Sequence, residues 1–264
     1  MANPMYRQIA EDLREQIESG QLAPRQQLRT EIELREHYGA SRNTVRDAIK
    51  WLTTLGLVET RPGQGTFVVR KIDPFVTTLS GSEGTLGAGE GASYLSEVNE
   101  QDRESSTSPI QVEIQEASDE VSTGLWIPKR TEVISRHERR FIDGTPWSMQ
   151  TSFYPAEFAD RGAERLRSAR NIDIGTVQYL LETLHIRQVG YRDWITVRAP
   201  NAAEADFFTL AQDGRIVVYE IFRTAFDGNG HPMRLTVTVF PADRNQFIIN
   251  VGEVPPPKSG MDFQ

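Results

Sequence analysis

Residues 39–69 read "GASRNTVRDAIKWLTTLGLVETRPGQGTFVV", and this stretch decides the fold of the first part of the chain. Ser41 is a residue type that caps helices, and apolar residues follow it at helical spacing. Those residues are Val45, Ala48, Ile49 and Leu52. The turn "RPGQG" at 61–65 then joins two short strand-like runs, because proline and glycine supply the backbone angles of a tight turn. The stretch therefore predicts a helix followed by a β-hairpin.

Two further helices are predicted upstream of this stretch. The first carries an apolar stripe of helical period between Tyr6 and Ile17. The second begins at Thr30, where Glu33 stands at the spacing of a capping box, and it ends at Gly39. Three helices with a tight turn before the third, followed by a hairpin, are typical of a winged helix-turn-helix.

The third helix leaves polar side chains on its outer face. Residues 42–70 hold five Lys/Arg against two Asp/Glu, although the whole chain has a net charge of −8. A capped helix start offers free N–H groups and a positive dipole end to phosphate, and arginine and asparagine can read base edges in a major groove. The pattern indicates a surface for duplex DNA. The alternative interpretation is a solvated helix face.

Composition limits the other classes of function. The chain has 264 residues, no cysteine and four histidines without ligand spacing, so a disulfide framework and a metal centre are not expected. No apolar run approaches the ~20 residues of a membrane span, and no signal-peptide pattern opens the chain. We therefore expect a two-domain, soluble, cytoplasmic protein that needs no metal and no cofactor.

Composition also divides the chain. We predict a winged helix-turn-helix domain at 1–70, a partly flexible linker at 71–109, a second domain at 110–252 and a C-terminal tail at 253–264. The linker is rich in Gly, Ser, Thr and Glu and poor in apolar residues, so it cannot bury enough surface to order itself. Its few apolar residues leave two alternatives open, which are local docking and a plain tether.

The second domain mixes strands and helices. Period-two alternation and turn residues predict strands at 133–142, 147–154, 191–199, 215–226 and 233–240. Helices are predicted at 156–168, 174–185 and 201–210, the last with Asn201 and Glu204 at capping-box spacing. The predicted fold class is α+β, with a mainly antiparallel sheet and flanking helices.

Alternation sorts polar residues onto one face of this sheet. The face predicted from the three clearest strands carries Arg136, Glu138 and Arg140, then Ser148, Gln150 and Ser152, then Arg234, Thr236 and Thr238. Hairpin pairing of the first two strands brings their polar faces together. Such a set can converge on a small polar ligand, or it can be an ordinary solvated sheet face.

The first domain resembles a known family. The segments "PMYRQIAEDLREQIESGQL", "LRTEIELREHYGASRNTVRDAIKWLTTLGLV" and "RPGQGTFV" look like the amino-terminal domain of the GntR family of bacterial transcription regulators. The family usually has proline-glycine where this chain has Pro24-Arg25. By position, the resemblance places Arg42, Thr44 and Arg46 on the DNA-contacting segment, and the wing tip in the minor groove. The predicted DNA-binding residues are Arg29, Thr30, Ser41, Arg42, Asn43, Thr44, Arg46, Lys50, Gln64 and Gly65.

The second domain resembles the UTRA effector-binding domain of the HutC subfamily. The resemblance covers roughly 94–250 and rests on "FIDGTPWSMQTSFYP", "ITVRAPNAAEADFF" and "RIVVYEIFRTAFDGNGHPMRLTVTVFPADRNQF". It implies effector contacts at five positions, and three of them carry a different residue type here. With two residues added from the polar face, the predicted effector-binding set is Arg136, Glu138, Arg140, Gln150, Ser152, Arg234 and Thr236. The changes remove two negative groups, which favours an anionic or neutral effector.

These observations predict a ligand-responsive transcription regulator, with a repressor released from an inverted-repeat operator as its most direct form. The resemblance implies a homodimer formed through the second domain. One alternative keeps DNA binding and gives the second domain only a dimerisation role. Another is an enzyme, because the UTRA fold is shared with chorismate lyase. The sequence shows no paired carboxylates and no nucleophile–base spacing, so we predict no catalytic residues.

Overall fold

The structure is a computed structural model, and its chain falls into two compact units. It describes residues 4–69, 74–79, 98, 103–210, 216–251 and 254. The units are Met1–Asp73 and Pro74–Gln264, and each is described by itself. Most of the predicted linker and tail lies outside the described residues, so their flexibility and the boundaries at 70, 109 and 252 stay predictions.

The first unit is built from three helices and a hairpin. Its elements are α1 (Met5–Glu18), α2 (Glu31–Tyr38), α3 (Arg42–Thr54), β1 (Val58–Arg61) and β2 (Gly65–Val68). The two strands pair antiparallel, with Arg61 opposite Gly65 at the turn. All three helices and both strands contribute to one core, which includes Ile9, Leu13, Leu34, Val45, Leu52, Val58 and Val68. The predicted winged helix-turn-helix is confirmed.

Local signals place these helices as predicted. Thr30 and Glu33 form the capping box at the start of α2, and Gly39 ends that helix in the left-handed region. The Ser41 hydroxyl accepts a hydrogen bond from the Thr44 N–H at the start of α3. Arg25 has φ 67° in the region that favours glycine, at the position where the resembled family usually has one. Its N–H still donates to the Val68 carbonyl, at 2.9 Å.

The second unit contains a seven-stranded antiparallel sheet. Its elements are β3 (Phe75–Thr78), β4 (Ser105–Thr107), β5 (Gln111–Glu116), α4 (Asp119–Leu125), β6 (Glu132–Ile142), β7 (Thr145–Pro155), α5 (Glu157–Asp160), a 3-10 helix (Glu164–Arg167), α6 (Thr176–Leu184), β8 (Gln188–Arg198), α7 (Ala202–Phe208), β9 (Val218–Asp227), β10 (Pro232–Pro241) and β11 (Asn245–Ile248). In the sheet, β4 and β5 both pair with β6, and β7, β10, β9 and β8 follow in that order. The predicted α+β class with a mainly antiparallel sheet is confirmed, and a separate parallel pair joins β3 to β11.

Helices cover parts of both faces of the large sheet. On one face, α5, the 3-10 helix and α6 pack around Ile134 and Tyr154. On the other face, α4 packs against Val133 and Leu235, and α7 packs against Val218. The rest of the first face carries the polar side chains on which the functional argument depends.

Two features differ from the sequence prediction. The predicted helix 156–168 is two short pieces, because Gly162 has φ 118° and breaks the hydrogen-bond ladder between α5 and the 3-10 helix. The strands β3, β4, β5 and β11 and the helix α4 were not predicted. All five are short, and their register or position depends on partners distant in the chain.

Candidate DNA-binding surface and effector site

The outer face of α3 is a row of exposed polar side chains over a buried apolar stripe. Arg42, Asn43, Arg46 and Lys50 are all exposed, whereas the neighbouring Val45 is completely buried. The helix is therefore fixed to its core by one side, and its other side meets solvent or a ligand. This is the geometry that a recognition helix needs in a major groove.

One carboxylate holds the two outer arginines of α3. Glu31 accepts from Arg42 Nε at 3.3 Å and from Arg46 Nε at 3.1 Å. Slight burial raises the pKa of the Glu31 carboxyl, but the hydrogen bonds and charges of Arg46 and Arg42 outweigh burial, so the pKa lies below its ordinary value. Both bonds use Nε, and the Nη groups of each guanidinium provide further donors. Glu31 therefore presents two guanidinium groups side by side.

The hydroxyls predicted at this surface serve first as helix caps. Ser41 Oγ lies 2.8 Å from Thr44 Oγ1, and Thr30 Oγ1 donates to Glu33 Oε2 at 2.9 Å. These contacts fix the starts of the two helices that make up the helix-turn-helix. Arg29, which directly precedes Thr30, is exposed.

The wing tip is tied to the segment before α2. Gln64 is exposed, and its carbonyl accepts from Gln27 Nε2 at 2.9 Å. Gly65 has φ 121°, in the region that favours glycine, and a Cβ there would displace the amide of Gln27. Arg61 forms an ion pair with Glu59 and lies 4.7 Å from the Phe67 ring centroid. The predicted tip residues thus stand on a hairpin whose turn is tied to Gln27 and whose Arg61 is paired with Glu59.

The second surface is the polar face of the large sheet, where cross-strand register gives rows of residues. One row runs Arg136, Ser152, Thr236, Arg223 and Asp193; the next runs Glu138, Gln150 and Thr238; the third pairs Arg140 with Ser148. The predicted hairpin pairing of β6 and β7, and the shared polar face, are confirmed.

This face is buried, which excludes the solvated-sheet alternative. The exposed fractions are 7% for Arg136, 4% for Arg140, 8% for Gln150, 6% for Ser152, 4% for Arg234 and 0% for Thr236. Polar groups are kept inside a protein when hydrogen bonds or a ligand satisfy them, because an unsatisfied one costs about 1–3 kcal/mol. The partners of each group therefore show which side chains remain for a ligand.

Arg136 uses its donors within the protein. Its guanidinium donates to the carbonyls of Arg165, Leu166, Ser168 and Arg170, at 3.3, 2.8, 2.7 and 2.9 Å. Burial lowers the pKa of Arg136 below its ordinary value. The structure therefore gives Arg136 a different role from the predicted effector contact, since it anchors the loop that contains the 3-10 helix.

Arg140 and Ser148 form the part of the face that is best arranged for a ligand. Glu138 Oε1 accepts from Arg140 Nε at 2.7 Å, and both lie on one strand. Ser148 Oγ is buried and has no hydrogen-bond partner among the residues that the structure describes. The neighbouring Gln150 adds an amide. An oxyanion placed here would meet a guanidinium, a hydroxyl and an amide.

The remaining predicted residues lie further along the sheet. Ser152 Oγ is 3.2 Å from Thr236 Oγ1, so these two hydroxyls satisfy each other. Arg234 donates to Gln188 at 3.3 Å and is level with Tyr154 in the register. Six residues therefore separate its row from that of Arg140, about 20 Å along the strands. The structure does not bring the two arginines to one small ligand.

The sequence argument missed one charged group on this face. Arg223 makes a bidentate pair with Asp193, at 2.6 Å for both bonds, and its Cζ lies 3.8 Å from the Tyr191 ring centroid. The Tyr191 hydroxyl donates to the Leu79 carbonyl, directly after β3. Alternation along the predicted strand 191–199 places Tyr191 and Asp193 on the same face of that strand. Whether this is the polar face of the sheet depends on how the strand pairs with β9.

The winged helix-turn-helix and the enclosed polar sheet together define a class of protein, a DNA-binding regulator with a second domain of the ligand-binding type. The profile of the family "Bacterial regulatory proteins, gntR family" matches residues 5–68, and that of the UTRA domain matches residues 100–246. The chain belongs to the GntR family of transcription regulators and carries a UTRA domain, the architecture predicted for the HutC subfamily.

Two relatives align with this chain along most of their length, and a third aligns over about a quarter of its own. An uncharacterized HTH-type transcriptional regulator of Rhizobium meliloti is 28% identical over 92% of this chain and 93% of its own. A protein named as a probable fructoselysine utilization operon transcriptional repressor, from Shigella flexneri, is 26% identical over 91% of both chains. The mannosyl-D-glycerate transport/metabolism system repressor of Escherichia coli is 46% identical over 65 residues, 25% of this chain and 27% of its own.

Solved structures share the fold. The crystal structure of PhnF from Mycobacterium smegmatis has a TM-score of 0.54 at 19% identity, covering 92% of this chain and 99% of that one. Another GntR-family regulator has a TM-score of 0.60 at 24% identity, covering 96% and 99%. Within the described part of the chain, every helix is too short or too polar to cross a membrane.

Proposed function

We propose that the chain is a homodimeric repressor that leaves an inverted-repeat operator when a small effector binds its UTRA domain. The observation that carries the DNA-binding half is the pair Arg42 and Arg46, exposed on one helix face and held side by side by Glu31. Each head would place α3 in a major groove and its wing, with Gln64 and Gly65, in the adjacent minor groove. Its place of action is the cytoplasm, where an operator is accessible.

The effector we propose is a small polar metabolite with an anionic group. Its anion would bind Arg140 and Ser148, with Gln150 beside them, because this corner of the sheet combines a buried cation with a buried hydroxyl that has no described partner. Names of two relatives refer to sugar-derived compounds, fructoselysine and mannosyl-D-glycerate. A sugar acid or sugar phosphate is therefore the first class to test.

Release would follow from a shift in populations between domain arrangements. A two-fold dimer reads half-sites about 34 Å apart, so an arrangement with another spacing loses the operator. A coupling of about 1–3 kcal/mol changes operator affinity by about 5–150-fold, which is enough for a switch. The Tyr191–Leu79 contact supports such coupling, because it joins the polar face to the residue directly after β3.

The DNA-binding half is tested by selecting duplexes from a random pool with the full-length chain. We expect enrichment of an inverted repeat whose half-sites are separated by about one helical turn. Binding to that repeat is then compared with binding to its scrambled form by fluorescence anisotropy at several salt concentrations. Equal affinity for the two duplexes would remove sequence-specific regulation from the proposal.

The effector half is tested on the same complex. Sugar acids, sugar phosphates and neutral sugars are screened for a rise in melting temperature of the full chain, and each hit is added to the protein–operator complex. We expect an anionic hit to release the duplex. If no metabolite raises the melting temperature and none releases DNA, the alternative of a UTRA domain that only dimerises is favoured.

We further propose that the chain has no enzymatic activity. Relatives that align along nearly the whole chain are named as transcription regulators. The enzymatic alternative predicts that purified chain consumes chorismate. Incubation with chorismate, followed by chromatography of the products, distinguishes the two, and turnover above a buffer control would revive the alternative.

A further inference from the structure

The two edges of the large sheet differ in length and chemistry. One edge is formed by β4 and β5, with three and six residues, and β5 has the sequence QVEIQE. The other edge is β8, which has eleven residues, and only Gln188 among them is buried. No described strand pairs with its outer side. A long open edge presents a row of backbone donors and acceptors, and natural proteins cover or charge such edges.

The side chains of β8 include the large apolar residues that are typical of a strand covered by a partner. Fourteen large hydrophobic side chains are exposed in the described part of the chain, and β8 carries four of them. They are Val189, Trp194, Ile195 and Val197, exposed by 50, 72, 41 and 53%. The apolar surface continues inward, because Trp194 stands opposite Phe222 on β9. Apolar residues concentrated on an unpaired edge mark a site of strand addition.

The charges near β8 indicate whether a second copy of the chain can pair with its edge. Each chain has a net charge of −8, so two copies repel each other except where the local surface is neutral. Near β8 the carboxylates are matched, since Asp193 pairs with Arg223, and Arg198 pairs with both Glu204 and Glu220. On the β5 edge, Glu116 pairs with Arg130, but Glu113 has no ion pair within the described residues, so pairing there would cover an unmatched carboxylate.

We propose that β8 pairs antiparallel with β8 of a second copy, with the two-fold axis close to Trp194. This inference rests on the homodimer of the proposed function and adds where that dimer forms. An axis at Trp194 sets the two indoles side by side next to Phe222. It also puts Arg192 opposite Thr196 of the partner subunit, so no like charges oppose each other. The two seven-stranded sheets then join into one.

The absence of cysteine from the chain makes the axis measurable. Single cysteines are introduced as Arg192→Cys, Trp194→Cys and Thr196→Cys, which lie on one face of β8. Only a residue on the axis meets its own copy, because a residue two positions away stands about 14 Å from its copy, at ~3.4 Å per residue. We expect oxidation to give a covalent dimer of the full chain for Trp194→Cys, and none for the other two.

Ile114→Cys on β5 is the matched control, since Ile114 is 49% exposed on the opposite edge. A cross-link at Ile114, or none along β8, would overturn the proposal. Because Trp194→Cys removes a contact, a second measurement uses the double variant Trp194→Lys, Val197→Lys against Ile114→Lys. Light scattering should give the mass of one chain, 29.8 kDa, for the β8 variant and twice that for the control and the wild type.

Operator binding separates this proposal from the one on which it rests. The monomeric β8 variant should bind the inverted repeat about 100-fold more weakly than the wild type, and a single half-site equally well. An unchanged melting temperature shows that the variant is folded. If the β8 variant stays dimeric and still binds the repeat, the interface lies elsewhere while the repressor proposal stands. If the wild type itself ignores the repeat, the proposed function fails.

Discussion

The first unit and the second unit use arginine in opposite ways. In the helix-turn-helix, the side chains of Arg42 and Arg46 are 64 and 57% exposed. On the sheet of the UTRA domain, Arg136, Arg140 and Arg234 are at most 7% exposed. A protein cannot enclose a DNA duplex, so arginines that contact DNA must lie on its surface. A small ligand or a loop can be surrounded by the protein. Exposure thus separates the arginines that we propose for DNA from those that we find or propose to have an interior partner.

The largest effect is expected from Arg136, whose partners are backbone carbonyls. Arg136→Ala leaves four buried or part-buried hydrogen bonds to carbonyls unmade, so the free energy of unfolding should fall by ~3–5 kcal/mol. The melting temperature of the second unit, followed by calorimetry, should fall by about 10 °C. Arg139→Ala is the control, because Arg139 is the exposed residue of the same strand beside the polar face. A stable Arg136→Ala variant with weakened effector binding would restore Arg136 to the effector site.

Arg140 tests whether a buried arginine serves a ligand. Arg140→Gln should weaken effector binding by ~2–4 kcal/mol, because a buried charge partner of the anion is lost. Operator binding without effector should not change, since the reading head is intact. Titration of the effector against the protein–operator complex measures both. Normal release by the same effector concentration would show that the anion binds elsewhere.

The exposed pair should have a smaller effect that depends on DNA sequence. Arg42→Ala and Arg46→Ala should each weaken binding to the selected operator by ~1–3 kcal/mol and binding to scrambled DNA by less. Arg14→Ala removes the same charge from α1, where Glu11 and Glu18 already match it, and serves as the control. Equal losses on both duplexes would assign the two arginines to phosphate contacts.

The smallest effect is expected from the carboxylate between them. Glu31→Gln removes a negative charge near the phosphates, so binding to scrambled DNA should strengthen about threefold, while selectivity for the operator decreases. The lowered pKa of Glu31 means that its ion pairs persist above the ordinary glutamate pKa and are lost as pH falls through the folded value. Acidifying wild-type protein should therefore move its selectivity toward that of the variant. Identical selectivity of variant and wild type at neutral pH would deny Glu31 this role.

The same contrast explains what the sequence could predict. Caps at Thr30, Ser41 and Asn201 depend on a residue three positions away, and each forms as predicted. The role of Arg136 depends on carbonyls 29–34 residues further along the chain, which no local pattern encodes. The break at Gly162, in contrast, had a local signal. A glycine inside the predicted helix was visible in the sequence, and it adopts a positive φ that ends the helix.

Pairing at long range also limited the prediction of the effector site. Alternation correctly grouped the polar residues of β6, β7 and β10, because a hairpin and one further pairing set their register. It did not show that Arg234 stands six residues from the level of Arg140, since that distance follows from how β10 is aligned with β7. The sequence also could not predict that β8 forms an exposed edge, because strand order in a sheet is a property of the whole fold.

The parallel pair of β3 and β11 has a consequence for synthesis. Phe75–Thr78 finds its strand partner only at Asn245–Ile248, about 170 residues later. On a translating ribosome, the reading head has all its residues early, whereas the second unit can close only near the end of translation. A message cut short before codon 245 would thus yield a complete reading head joined to a second unit that lacks the β3–β11 pair.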